Sequence, residues 1–424
     1  MFYLALYIGF LFVRPQEYPG VRIEFPIMPV LLAVAVVLSL IRPSNQHRPP
    51  VGALLAGLCV AVPASVAAGG WLGGAWKAFL AFTPTALLAF AAMRSIDTLP
   101  RLKALLAMLV AVMAFLAVHG IDQAGQGIGW SGATMIAERI RYIGILGDPN
   151  DVASALLFAL PLAIHFAVSP ASGLTSRVLG IAAIPALLWA TYLTSSRGAV
   201  VSLIAMIGAF VMVRRQFSRA ALVAPLMVLG VLSFAPARFT TGGDSEDASS
   251  EGRIEAWYVG MQMFQAHPVF GSGYGTFLDH HERTAHNSFV LAFAELGLFG
   301  YFFWFSLVAL SCVMLYRCAT VGDPLPDTDA SRARELRDAR ALARALLYAM
   351  VGLVVSSFFL SRTYIPINYL AMGVTVAMFG IHRSLDPRVA GIALHEWAPR
   401  LAAMTVGSFA VFWLAVRIGT VRFA

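Results

Sequence analysis

Charge is scarce in this chain. Asp, Glu, Lys and Arg make up 12% of its 424 residues, while 59% are hydrophobic. A soluble globular domain carries about 25% charged residues, so this shortage excludes an ordinary soluble enzyme; the apolar excess excludes a disordered chain. Acids are the scarcer sign, 22 against 30 basic residues, for a net charge of +8. In a soluble protein that balance points to nucleic acid. Here no aromatic residues interleave with the densest basic run, 331–344, so a nucleic-acid surface is excluded. Cysteine is almost absent. Cys59, Cys312 and Cys318 lie in or beside apolar runs, with no CxxC and no histidine at ligand spacing, and read as small buried hydrophobes. Met1–Val13 lacks a basic leader and a small-residue cleavage site, so a retained helix is expected there rather than a signal peptide.

What the chain has in abundance is long apolar runs, with a mean hydropathy of +0.76. A membrane-spanning helix needs about 20 mostly apolar residues. Twelve candidates fall near 2–13, 26–41, 51–69, 77–93, 103–119, 150–168, 177–194, 198–213, 219–236, 286–316, 341–360 and 366–382. A thirteenth stretch, 402–416, either spans or lies at the interface. The expected fold is therefore all-α and polytopic, with about 12 transmembrane helices. It divides into N-terminal spans (1–236), a long external loop (237–285) and C-terminal spans (286–424).

With the N-terminus placed inside, the inside loops hold 17 Lys and Arg, the outside loops 10, and the tail three. The positive-inside rule supports that orientation. The ten outside residues are nonetheless a surplus: Arg14, Arg22, Lys77, Arg139, Arg141, Arg197, Arg238, Arg253, Arg283 and Arg362. Any one of them reads as a headgroup-facing side chain. Together they suggest an anionic ligand, because guanidinium grips phosphate in a bidentate fork and keeps its charge.

The loop 237–285 opens on an acidic tip at 240–247. From Glu251 to Phe264 it reads as an amphipathic helix along the membrane surface, ended by Pro268 and Gly271. Gly271-Ser272-Gly273-Tyr274-Gly275 is too rich in glycine for helix; with no strand before it, it suits a turn with close backbone approach better than a dinucleotide site. The run Asp279–Ser288 holds three histidines and two acids, but not at the spacing of firm metal ligands. His286 stands apart at the mouth of a span. It reads as either a buried structural histidine or a general base with a near-neutral pKa. Thr194–Gly198 forms a tight turn that presents Arg197 on the same side. Arg139 and Arg141 precede Gly147–Asp151, where Asn150 or Asp151 is expected to cap the next helix. Arg362 completes a ring with Arg139, Arg141, Arg197 and Arg253 around His286. Asp327-Thr328-Asp329 has the D-x-D form of a cation site but lies in an inside loop, and reads as solvated.

These residues resemble the O-antigen ligase superfamily, which includes lipopolysaccharide O-antigen ligases, O-antigen polymerases and protein O-oligosaccharyltransferases. The resemblance rests on His286-Asn287 followed, after nine residues, by Gly297-x-x-Gly300; on Gly252-Arg253 with His267–Gly273; and on Ser196-Arg197-Gly198 and Gly147–Asn150. It departs where the ligases carry leucine four residues after the arginine, since Val201 stands there. The resemblance implies a GT-C-like glycosyltransferase of the bacterial inner membrane, acting at the periplasmic face. It implies inverting transfer of a glycan from an undecaprenyl pyrophosphate donor to a hydroxyl of a lipid A-core acceptor, without metal or other cofactor. His286 would act as base, while Arg197 and Arg253 would bind pyrophosphate. Arg139, Arg141, Arg362 and Asn287 would contact substrate. Polymerase or protein-glycosylating activity is the alternative within the same chemistry. A transporter or flippase is the rival from another class, but no internal repeat supports it.

Overall fold

The structure, a computed structural model of the chain, describes residues 1–21, 25–41, 49, 51–214 and 244–420. The expected span 219–236, Arg22, Arg238 and the start of the acidic tip lie outside the described residues. Backbone polar groups in an apolar medium must pair within their own segment, so the long apolar runs fold as helices. In chain order these are α1 (Phe2–Val13), α2 (Ile27–Leu40), α3 (Val51–Ala68), α4 (Leu72–Ser95), α5 (Leu99–Gln126), α6 (Pro149–Val168), α7 (Leu174–Leu193) and α8 (Arg197–Arg214). Then follow α9 (Asp244–Ala266), the single turn α10 (Phe277–His280), α11 (Ser288–Thr320), α12 (Ala330–Ser357), α13 (Pro366–Leu385) and α14 (Leu394–Thr420).

Among the described residues nine helices are long and apolar enough to cross a membrane: α3 to α8, α11, α12 and α14. The described residues form helices and no strands, and these long apolar helices fit a multi-pass membrane protein. The expected count of twelve is met only in part. The expected spans 2–13 and 26–41 are helices of 12 and 14 residues, short for a crossing. The expected span 366–382 is a helix, α13, that falls outside the nine. The open stretch 402–416 belongs to α14, whose segment Leu394–Arg417 does qualify.

The core forms where α6 and α11 are enclosed. Nearly every residue of α6 is buried, as expected of a helix apolar all round, and it packs against α5, α7, α8 and α12. α11 is flanked by α3, α9, α12, α13 and α14. The connecting segments gather at two ends. At one, Lys103 reaches Asp338 and the Ala171 carbonyl, Arg317 the carbonyls of Ala390 and Gly391, and Arg388 the Asp323 carbonyl. At the other, the Tyr142 hydroxyl bonds the Val13 carbonyl, Arg139 the Thr194 carbonyl, and the Tyr274 N–H the Ser65 hydroxyl. All the expected site residues lie at this second end.

The amphipathic helix is α9, but its apolar side meets protein. Ala256, Met261 and Met263 are buried, and Phe264 packs on Phe293 of α11 and Phe409 of α14. The stop of the helix was legible in the sequence; its start was not, since it begins at Asp244 and takes in part of the expected acidic tip, and neither were the neighbours that cover it.

Candidate active site

His286 is held at the junction of three segments. The next residue, Asn287, is fully buried and starts α11 as its N-cap, its side-chain oxygen accepting from the N–H groups of Phe289 and Val290. Asn287 thus caps α11 through that oxygen. Before His286, the Ala285 carbonyl accepts from the Trp257 indole of α9 at 2.9 Å. After it, Ser288 is clamped by the segment 358–365: its hydroxyl donates to the Leu360 carbonyl and accepts from the Arg362 N–H, and its carbonyl accepts from Thr363. Between these ties His286 has φ 46°, the left-handed region that a residue other than glycine holds only where its surroundings fix it. The other such residues described, Arg14, Ala137, Glu138 and Ser195, all lie in loops at the same end. Two of those turns directly precede Arg139 and Arg197.

Burial, and then the positive charge of Arg253, Arg283 and Arg362, pull the His286 pKa below the usual histidine value; Asp148 opposes them. The imidazole is therefore neutral near pH 7, the form that accepts a proton. Arg253, on α9, is itself pushed below the ordinary arginine range, first by burial and then by the like charge of Arg197. Four arginines from four segments thus act on one small region. Arg283, left out of the expected ring, belongs in it: a Cβ on Gly252 would stand 2.8 Å from its guanidinium, which places Arg283 against α9 next to Arg253.

The remaining expected ligands are engaged by the protein. Arg362 forms a bidentate pair with the buried Asp151 at 2.5 and 2.6 Å, so the anion it grips is a carboxylate of α6. Arg139 donates to the Asn150 side chain and the Thr194 carbonyl, joining the α6 entry to the turn that carries Arg197. Arg141 donates to Thr134 within its own loop. The cap of α6 is neither Asn150 nor Asp151 but Asp148, which accepts from the Asn150 N–H at 2.7 Å. Asn150 and Asp151 are left for the two arginines. His281 accepts from the Arg283 N–H and shapes a turn. Among the described residues no three His, Cys, Asp or Glu side chains gather as a metal-holding group.

The glycine motifs meet each other. α11 breaks at Gly297, φ 60° and ψ −168°. The break frees two carbonyls and two N–H groups inside the bundle, and the segment 268–273 takes up all four. Ser272 and Gly273 donate to the carbonyls of Ala294 and Glu295 at 3.0 Å; Leu298 and Phe299 donate to Pro268 and Val269 at 2.8 and 3.0 Å. Backbone approach this close requires glycine on both sides, since a Cβ on Gly271 or Gly297 would lie 2.3–2.4 Å from the other strand. Transporters use broken helices to open ion sites at the bilayer midplane; this break is closed by the chain itself. Beside it Glu295, absent from the expected site, is 2% exposed and accepts from the Phe277 N–H at 3.2 Å and the Tyr364 hydroxyl at 2.9 Å. The one acid in this long apolar span was the available signal.

No curated protein matches the chain. Residues 181–305, which include Arg197, Arg253, Arg283, His286, Gly297 and Gly300, match the family model described as O-antigen ligase.

Proposed function

We propose that the protein is an O-antigen ligase: an inverting, metal-independent glycosyltransferase of the bacterial inner membrane that works at the periplasmic face. The donor is a glycan on undecaprenyl pyrophosphate and the acceptor is a hydroxyl of lipid A-core. The observation that carries this reading is His286, inside the O-antigen ligase match, its pKa lowered by burial and by the charges of Arg253, Arg283 and Arg362. His286 takes the proton of the acceptor hydroxyl, whose oxygen attacks the anomeric carbon. The bond from that carbon to the pyrophosphate oxygen breaks, and the lipid pyrophosphate leaves with the negative charge. Arg197 and Arg253 stabilise that charge by fixed, permanently ionised donors, the role a divalent cation fills elsewhere. Arg139 and Arg362 hold the walls of the site through Asn150, Thr194 and Asp151.

Two experiments test the reading. Purified His286→Ala and Arg197→Ala are each expected to lose transfer while remaining folded; near-normal rates would remove the corresponding residue from the mechanism. A deletion strain is expected to make lipopolysaccharide with bare core. Core plus one repeat would identify a polymerase, and an unchanged ladder a protein-glycosylating enzyme.

A further inference from the structure

We infer that Glu295 is a positioning residue for His286, acting through the loop 275–286 and through Tyr364. Its carboxylate lies where three parts of the site converge. One oxygen accepts from the Phe277 N–H, at the start of the loop that ends in Arg283 and His286. The other accepts from the Tyr364 hydroxyl, in the segment whose Arg362 and Thr363 clamp Ser288. Its own carbonyl is part of the backbone seam to Gly273. A glutamate 2% exposed is costly to bury, and three or more donors converging on it are the usual means of keeping it there. Tyr274 packs on the Tyr364 ring at 4.6 Å and is pinned in turn by Ser65 of α3, so the carboxylate ties α3, α11, the glycine loop and the 358–365 segment together.

The two loops that Glu295 fixes are the two that flank His286. Cutting either tie gives the 278–286 loop freedom and lets water reach the imidazole. The groups facing His286 are Arg253 on α9, Arg283 on its own loop, Arg362 on the 358–365 segment and Asp148 before α6. Relaxation of that surround brings His286 back toward ordinary histidine behaviour.

The inference rests on the reading that His286 is the base, and one of its tests is independent of that reading. In the full-length protein in detergent, carbethoxylation of His286 by diethyl pyrocarbonate is followed by peptide mass spectrometry across pH. In Tyr364→Phe and Glu295→Gln the midpoint of its reactivity is expected to move to higher pH and its rate to rise about threefold or more. Replacing the carboxylate by an amide without loosening the loop would leave the midpoint unmoved or lower it, because a nearby negative charge favours imidazolium. In transfer from undecaprenyl-pyrophosphate glycan to lipid A-core, kcat is expected to fall about ten- to hundredfold with the donor KM within about twofold. The acid limb of the pH profile should move in the same direction as the reactivity midpoint. The double variant should be no worse than the worse single one, since both cut the same bond. A midpoint and rate identical to wild type in Tyr364→Phe would overturn the inference; so would a lower kcat that tracks only the loss of folded protein. Should Glu295→Gln fail to fold, Tyr364→Phe decides. If wild-type protein transfers nothing, the proposed function fails while the carbethoxylation result still stands.

Discussion

Substituting Gly297 by alanine tests whether the seam between α11 and the 268–273 segment is what the signature glycines serve. Gly297 has φ 60° and ψ −168°, a region closed to residues with a Cβ. The added carbon would stand 2.4 Å from the Gly271 nitrogen and the Val269 oxygen, both backbone atoms that no rotamer change can move. If the chain keeps the break, torsional strain alone costs about 1–3 kcal/mol. If it parts the two strands to make room, four hydrogen bonds go, each about 1 kcal/mol net and more where the freed groups stay dry. The less damaging of the two still costs about 1–3 kcal/mol on top of the clash and the other about 4 kcal/mol or more, a large share of the roughly 5–15 kcal/mol that stabilises a folded protein. Gly208 is the control, because a Cβ there meets no atom within 4 Å. Purified in detergent, Gly297→Ala is expected to melt of order 10 °C below wild type or to aggregate, and Gly208→Ala to melt close to wild type. A Gly297→Ala protein that melts with Gly208→Ala and retains transfer would refute the seam as the reason for this glycine.

Transfer is expected to persist to pH values below the ordinary histidine range, because burial and the charges of Arg253, Arg283 and Arg362 hold the His286 pKa down. Arg283→Gln removes one of those like charges, so the acid limb should move to higher pH; a limb that stays put or moves lower would contradict the assignment of that limb to His286. Asp151→Asn should lower stability by about 2–3 kcal/mol in chemical denaturation, less than a fully buried pair because the Arg362 side chain is 30% exposed. Adding Arg362→Gln should recover part of that loss, whereas equal stability of Asp151→Asn and wild type would show the pair to be idle.

Much of this could be read in the sequence because the apolar runs leave the backbone no alternative to helix, and because helix ends bring loops of one side together. That reasoning placed Arg197, Arg253 and His286 at one end of the bundle. It failed where the outcome depends on distant partners. Arg362 and Asp151 are separated by 211 positions, and nothing local shows that they pair. Asp148, Asn150 and Asp151 all suit an N-cap by type; only the arginines that claim Asn150 and Asp151 leave the cap to Asp148. Glu295 was hidden because a single acid barely changes the hydropathy of a 33-residue helix.

The surplus of outside positive charge divides into two populations in the structure. Counted from the sequence, the ten residues form one population suited to an anion. In the structure Arg14 pairs with Glu17, Lys77 lies over the Trp71 ring, Arg139 and Arg141 hold carbonyl oxygens, and Arg362 has Asp151. Five of the eight described members of the surplus are thus engaged by the protein itself, at the end where every described non-glycine residue with positive φ is found. Arg253 and Arg283 differ from these. Their charges depress His286, and Arg253 is depressed in turn by Arg197. Like charges held this close raise the energy of the ligand-free site and are relieved by a bound anion. In the proposed reaction, catalysis and binding are then coupled: a donor pyrophosphate that neutralised Arg197 and Arg253 would also remove part of what lowers the His286 pKa and make the proposed base stronger.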